Sequence, residues 1–246
     1  MGFLIGTIKH SLGWVFTLFA LGTLIFLGVL TLGYFRRNGA AALLRFWGRG
    51  MLFIAGVRLD KQGLEILKKR SCRILTLNHT SSLDLFIVCS FAPNGSIHIV
   101  KKEFFYLPII GQAAWILGVH FLDRSNPKRA IQSLGHAATR MREEQGTVCI
   151  APEGTRSRDG RLNPFKLGVF HLAMKSQATI YPLLIDGAHT LWPRSAWYCR
   201  SGTVKVRILE PVDPSDFTED NLREKAEMVR AMYAEALGQT PESDAS

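Results

Sequence analysis

RILTLNHTSSLD, residues 73–84, opens as a strand and closes as the start of a helix. Residues 73–77 form a short apolar run bounded by polar positions, the pattern of a strand buried on both faces. Residues 82–91 suit a helix, stopped by Pro93, Asn94 and Gly95. A strand that turns straight into a helix is the unit of an α/β fold, and such folds gather reactive groups at the carboxyl ends of their strands. The same alternation continues outward. Strands are predicted over 98–100, 119–122, 147–151, 179–185 and 203–209. Helices are predicted over 127–144, opened by Asn126 and Pro127, and over 167–175 and 218–237. This domain spans 57–238, and residues 239–246 read as a disordered tail.

The first 56 residues are of another kind. Residues 11–35 carry no charged side chain, and as a helix they would extend about 38 Å, enough to cross a hydrocarbon layer. A signal peptide would place stronger charge ahead of a shorter apolar stretch. Here Lys9 is the only fixed side-chain charge upstream, whereas Arg36, Arg37, Arg45 and Arg49 follow. That asymmetry predicts a membrane protein with its bulk on the cytoplasmic side. Residues 40–56 form a second segment in which Arg45 and Arg49 share one helical face. They read as an amphipathic helix at the membrane interface, with a helix packed on the domain as the other reading. Residues 1–56 are thus a membrane anchor.

The net charge of +10 favours polyanionic surroundings such as anionic lipid headgroups or phosphorylated substrates. Cys72, Cys89, Cys149 and Cys199 form no CxxC pair, so neither a zinc ribbon nor a redox dithiol is indicated. Four cysteines could form two disulfides, but Cys72, Cys89 and Cys149 sit in apolar runs and read as small core residues, which favours a reducing compartment.

Three constellations carry chemistry. In Asn78–Asp84, His79 and Asp84 would diverge by about 140° on one continuous helix. They meet only if His79 lies on the strand-to-helix turn and Asp84 points back from the first helical turn. Asp84 then accepts the Nδ1 proton and leaves Nε2 as a general base. Ser81 with Asp84 is also a helix-capping pair, which leaves His79 a plain turn residue. In Ala151–Ser157, Gly154 permits a tight turn, Thr155 donates to oxygens, and Arg156 offers a fork for phosphate; an exposed basic loop is the alternative. In Val119–Ser125, Arg124 is a second phosphate candidate, or simply the salt-bridge partner of Asp123. Lys101 and Lys102 read as a solvated basic edge, with the steering of anions as the other reading.

In this order the three motifs resemble the glycerolipid acyltransferase family, of the 1-acyl-glycerol-3-phosphate (lysophosphatidate) acyltransferase type. Asn78, His79, Ser81 and Asp84 meet its first block, and Phe121, Asp123 and Arg124 its second. Glu153, Gly154, Thr155 and Arg156 meet its third, followed by Phe165, Lys166 and Gly168, and Ile180–Pro182 matches a late strand. Ala151 departs from the usual Phe. The resemblance covers residues 57–237 and implies a single mixed-sheet α/β acyltransferase domain behind an N-terminal helical membrane anchor.

It further implies transfer of an acyl group from acyl-CoA or acyl-carrier protein to the 2-hydroxyl of lysophosphatidate, giving phosphatidate. His79 and Asp84 would be catalytic, with Asn78 and Ser81 in support. Arg124, Glu153, Gly154, Thr155, Arg156 and Lys166 would bind the substrate phosphate. Neither cofactor, metal nor nucleic acid is expected, while membrane phospholipids are expected partners. Residues 104–117 are the candidate wall for an acyl chain, or else ordinary core. Glycerol 3-phosphate and a lyso-aminolipid are the alternative acceptors. Two other classes compete: a serine hydrolase, for which no GxSxG elbow is present, and a membrane-tethered anionic-lipid-binding protein.

Overall fold

The structure, a computed structural model, describes residues 2–30, 40–107, 111, 120–122 and 127–239. Seven strands form one sheet: β1 (Val57–Gln62), β2 (Arg73–Leu77), β3 (Ser96–Lys101), β4 (His120–Leu122), β5 (Thr147–Ile150), β6 (Thr179–Asp186) and β7 (Gly202–Ile208). Their order is β1-β7-β6-β2-β5-β3-β4, and only the β6–β7 pair is antiparallel. The sheet is therefore mixed, as the resemblance implies.

β2 lies at its centre because helices cover it on both faces, which demands a continuous apolar run. All five of its residues are buried. Ile74 faces a layer made by α4 (Pro127–Glu144), α5 (Gly168–Ser176) and α7 (Leu222–Leu237), with Met141, Phe170 and Tyr233 around it. Leu75 and Leu77 face the opposite layer, against α2 (Ala40–Ala55) and α3 (Leu83–Ser90), where Leu52, Leu83 and Ile87 pack. Truncating Ile74 or Leu75 to alanine would cost about 2–5 kcal/mol, since neither site is exposed to water.

Most predicted elements lie within a few residues of the observed ones, and α4 coincides with its prediction because Pro127 fixes its first turn. The C-terminal helix differs. Residues 218–221 form a turn in which the Asn221 side chain accepts the Thr218 N–H and donates to the Asp216 carbonyl, and α7 begins only at Leu222. Residue 119 lies outside the described residues, as do most of 104–117. Phe105, Tyr106 and Leu107 are exposed.

The N-terminal helix α1 runs Gly2–Leu30, with Leu4–Leu27 long and apolar enough to cross a membrane. It begins nine residues before the charge-free stretch, and residues 31–35 lie outside the description. Lys9 is thus inside the helix. Its ammonium donates to the Ala55 carbonyl and the Ser201 hydroxyl, tying α1 to the domain. Nor does α2 stand clear of the domain. At Gly48 it approaches α3 so closely that a Cβ would lie 2.5 Å from the Ser90 nitrogen. Arg45 and Arg49, read as a polar face, donate to the Ala92 and Ser90 carbonyls at the end of α3. The four cysteines are free, and burial pushes Cys89 and Cys149 up to about 12.

Candidate active site

β6, β2 and β5 are parallel neighbours, so the segments leaving their carboxyl ends converge on one edge of the sheet. The turn after β2 is bonded to both adjoining segments. Asn78 Nδ2 donates to the Ile185 carbonyl at 2.9 Å, and its Oδ1 accepts the Ile185 N–H at 2.8 Å. A side-chain amide thereby continues the β2–β6 ladder after the backbone has turned away.

The next residue is the candidate base. The His79 N–H donates to Glu153 Oε1 at 2.7 Å, and its carbonyl accepts the Ser157 N–H at 2.8 Å. Its ring Nδ1 lies 2.8 Å from Asp84 Oδ2. That oxygen also accepts the Thr80 and Ser81 N–H groups, both at 2.9 Å. A carboxylate oxygen acting as a multiple acceptor orients Nδ1 as a donor, which leaves the lone pair on Nε2. Asp84 is 1% exposed and His79 30%, so the acid is enclosed and the base reaches solvent. One Asp84 oxygen thus serves both the backbone of the turn and the His79 ring.

Ser81 supports from below. Its hydroxyl donates to the Trp192 carbonyl at 2.7 Å and accepts the Leu83 N–H at 3.1 Å. His189, on the short helix α6 (Ala188–Leu191), donates from Nδ1 to the Thr80 carbonyl at 3.2 Å.

The segment after β5 supplies cations. Gly154 has φ of 70°, and a Cβ there would lie 3.0 Å from the Lys166 side chain. The position therefore needs glycine twice over, for its backbone and for the lysine that folds across it. Thr155 and Lys166 are exposed. Arg156 is partly buried and reaches back to the N-cap of α3, where Nη1 donates to Ser82 Oγ at 2.5 Å. The bond sets its guanidinium against the turn that carries His79.

Glu153 requires a correction. It was expected among the phosphate-binding residues, yet it is 2% exposed. Its Oε2 accepts the Asn163 backbone N–H at 3.0 Å and the Asn163 side chain at 2.7 Å. A buried acceptor cannot hold an anion; Glu153 instead joins the His79 turn to the basic loop. Burial raises its carboxyl above the ordinary glutamate value, and the N–H groups of His79 and Asn163 act against that rise. Arg124 and Asp123 lie outside the described residues. Side chains at Lys101 and Lys102 are likewise not described, and among the described residues no group of acidic, histidine or cysteine side chains could hold a metal ion.

Sequence reasoning missed Ser82, Asn163, His189 and Trp192. It also missed an apolar cavity of about 390 Å³ between α1, α2 and α3, walled by Trp14, Trp47, Met51, Leu85, Phe86 and Trp192. Trp192 lines this cavity while its carbonyl holds Ser81. Leu85 follows Asp84 directly, so the cavity starts one residue from the dyad.

This geometry coincides with a family. A profile described as Acyltransferase matches residues 58–186, just over half of the chain. The chain belongs to the acyltransferase family. A 1-acyl-sn-glycerol-3-phosphate acyltransferase of Limnanthes douglasii is 38% identical over 188 residues, covering 76% of this chain and 66% of the relative. The alpha form from Homo sapiens is 30% identical over 213 residues, covering 85% and 75%. The chain spans somewhat less than two thirds of the length of the plant relatives, 62% for that of Cocos nucifera. The crystal structure of the 1-acyl-sn-glycerophosphate (LPA) acyltransferase PlsC from Thermotoga maritima is similar with a TM-score of 0.78. It is 25% identical, and the match covers 99% of this chain and all of that one.

Proposed function

We propose that this acyltransferase moves a fatty acyl group from an acyl thioester, acyl-CoA or acyl-carrier protein, to the 2-hydroxyl of lysophosphatidate. The observation that carries the reading is the dyad of His79 and Asp84 at 2.8 Å beside the cationic group Arg156. His79 Nε2 takes the hydroxyl proton as the oxygen attacks the thioester carbonyl. The tetrahedral intermediate collapses, the C–S bond breaks, and the leaving sulfur takes the proton back from Nε2 as a thiol. Asp84 holds the ring and stabilises its charged form. No acyl-enzyme is formed and no cofactor enters these steps, because the acceptor brings its own nucleophile.

Arg156 and Lys166, with Arg124, hold the acceptor phosphate, and the gain in rate comes from positioning. The cavity beside Leu85 suits an acyl chain, being apolar and one residue from the dyad. The chain is anchored by residues 1–56, with α1 in the membrane and the catalytic domain on the cytoplasmic side, where Arg36 and Arg37 place it.

An acceptor panel tests the proposal. The purified chain, given one labelled acyl donor, should acylate lysophosphatidate far faster than glycerol 3-phosphate or a lyso-aminolipid. Equal rates on a phosphate-free acceptor would sink the phosphate assignment, and no transfer at all would favour a lipid-binding role. Chelation followed by dialysis should leave the rate unchanged.

A further inference from the structure

We infer that the outer face of α2 holds a binding site for an anionic phospholipid, separate from the catalytic centre. Arg45 and Arg49, one helical turn apart, border a groove of about 520 Å³ whose other walls include Phe16, Phe46 and Phe53. Phe53 is 86% exposed and Phe46 54%. Each arginine spends only part of its guanidinium on the protein. Arg45 Nη1 donates to the Ala92 carbonyl at 2.8 Å and to Asn94 Oδ1 at 3.1 Å, and Arg49 Nε donates to the Ser90 carbonyl at 3.0 Å. A guanidinium has five N–H donors, so among the described residues both have several beyond those bonds. Among the described residues neither has a carboxylate ion-pair partner.

Two cations held at their base and, among the described residues, without a counter-charge, beside exposed aromatic rings, match a phosphate that carries hydrocarbon chains. A water-borne polyanion fits less well, because the groove continues onto α1 through Phe16, where Leu12, Val15 and Phe19 are exposed. The bilayer presents the ligand. The arginines grip the carboxyl end of α3, whereas Asp84 lies in its first turn. The lipid is therefore a second ligand and not the acceptor. This inference rests on the membrane placement of α1 proposed above and not on the choice of acceptor.

The full chain in detergent would be titrated with dioctanoyl phosphatidylglycerol and separately with dioctanoyl phosphatidylcholine, and retained lipid counted by native mass spectrometry. Phosphatidylglycerol should bind in preference and should raise the melting temperature. The double variant Arg45→Gln/Arg49→Gln should weaken its retention by about ten- to a hundredfold, as expected when charge-assisted bonds are lost. Arg156→Gln should leave retention intact, which separates this site from the acceptor site. Phe53→Ala, altering an exposed ring, should weaken retention without lowering the melting temperature of the lipid-free protein. Equal retention of the two lipids by the unaltered chain would overturn the inference, as would undiminished retention in the double variant or a loss in Arg156→Gln instead. Failure of the membrane placement would appear separately, as release of the unaltered chain from membranes by carbonate.

Discussion

Two neighbouring segments on the same sheet edge are held very differently. In the turn from Asn78 to Ser81 every residue is bonded to another part of the chain: to β6, to Glu153 and Ser157, to His189, and to the Trp192 carbonyl. In the loop from Gly154 to Lys166, Ser157 is buried and Arg156 is tethered, but Thr155, Arg158, Arg161 and Lys166 are exposed. The group proposed to move a proton is fixed before any substrate arrives. Of the groups proposed to hold the phosphate, Arg156 is tethered by one bond and Lys166 is exposed. Reorganisation during reaction is costly for a base and cheap for a flexible cation, so the division suits catalysis by positioning.

The largest expected effect falls on the rigid side. His79→Ala should lower kcat by roughly a hundred- to ten-thousandfold, with circular dichroism and melting close to the unaltered protein because the ring is partly exposed. Wild-type-like turnover in that folded variant would remove the histidine from the chemistry.

Glu153→Ala should couple the two sides. It leaves the His79 and Asn163 N–H groups without their acceptor, at about 1–3 kcal/mol for each buried group. Urea unfolding should record the stability loss and single-turnover kinetics a slower chemical step. The pH dependence has a definite sign. Because burial raises the Glu153 carboxyl above its unfolded value, its favourable contribution is fully present below the ordinary glutamate value. That contribution fades as pH rises through the folded one. The stability of the unaltered protein relative to Glu153→Gln should therefore fall over that window. A gap that widens with rising pH would contradict the burial argument.

Smaller effects belong to the open side. Arg156→Gln should raise the acceptor KM far more than the donor KM, by about ten- to a hundredfold for a lost charge-assisted bond, and Arg156→Lys should recover part of it. Equal losses on a phosphate-free lyso-lipid would assign the arginine to the fold or to the donor. Ser81→Ala should have the least effect, about 1 kcal/mol in stability for the bond to Trp192, with the acceptor KM unchanged.

The strand at 73–77 was legible because a parallel strand covered on both faces must be apolar throughout. The contact between His79 and Asp84 was half legible: a spacing of five lets them meet only across the turn, but leaves Asp84 equally readable as a capping residue. Glu153 was not. In sequence it sits among basic residues and reads as part of their loop. Only the adjacency of β2 and β5 places it beneath His79, 74 positions away. Asn163, His189 and Trp192 were hidden for the same reason, each meeting its partner through the topology of the sheet. Lys9 misled in the opposite direction. In sequence it reads only as a charge upstream of the helix at 11–35, but the helix includes it, its ammonium bonded to a carbonyl and a hydroxyl across the fold.

The bond between Asn78 and Ile185 has a consequence for the order of biogenesis. The chain leaves the ribosome from its N-terminus, so α1 and the His79 turn are made some hundred residues before the strand that locks the turn. A nascent or truncated chain ending short of Ile185 would carry both His79 and Asp84 yet lack the Trp192 carbonyl, His189 and the strand edge that hold them in register. In the proposed reading, α1 is therefore complete before the site is: the His79 turn reaches its bonded arrangement only when the last third of the chain has folded back across the sheet.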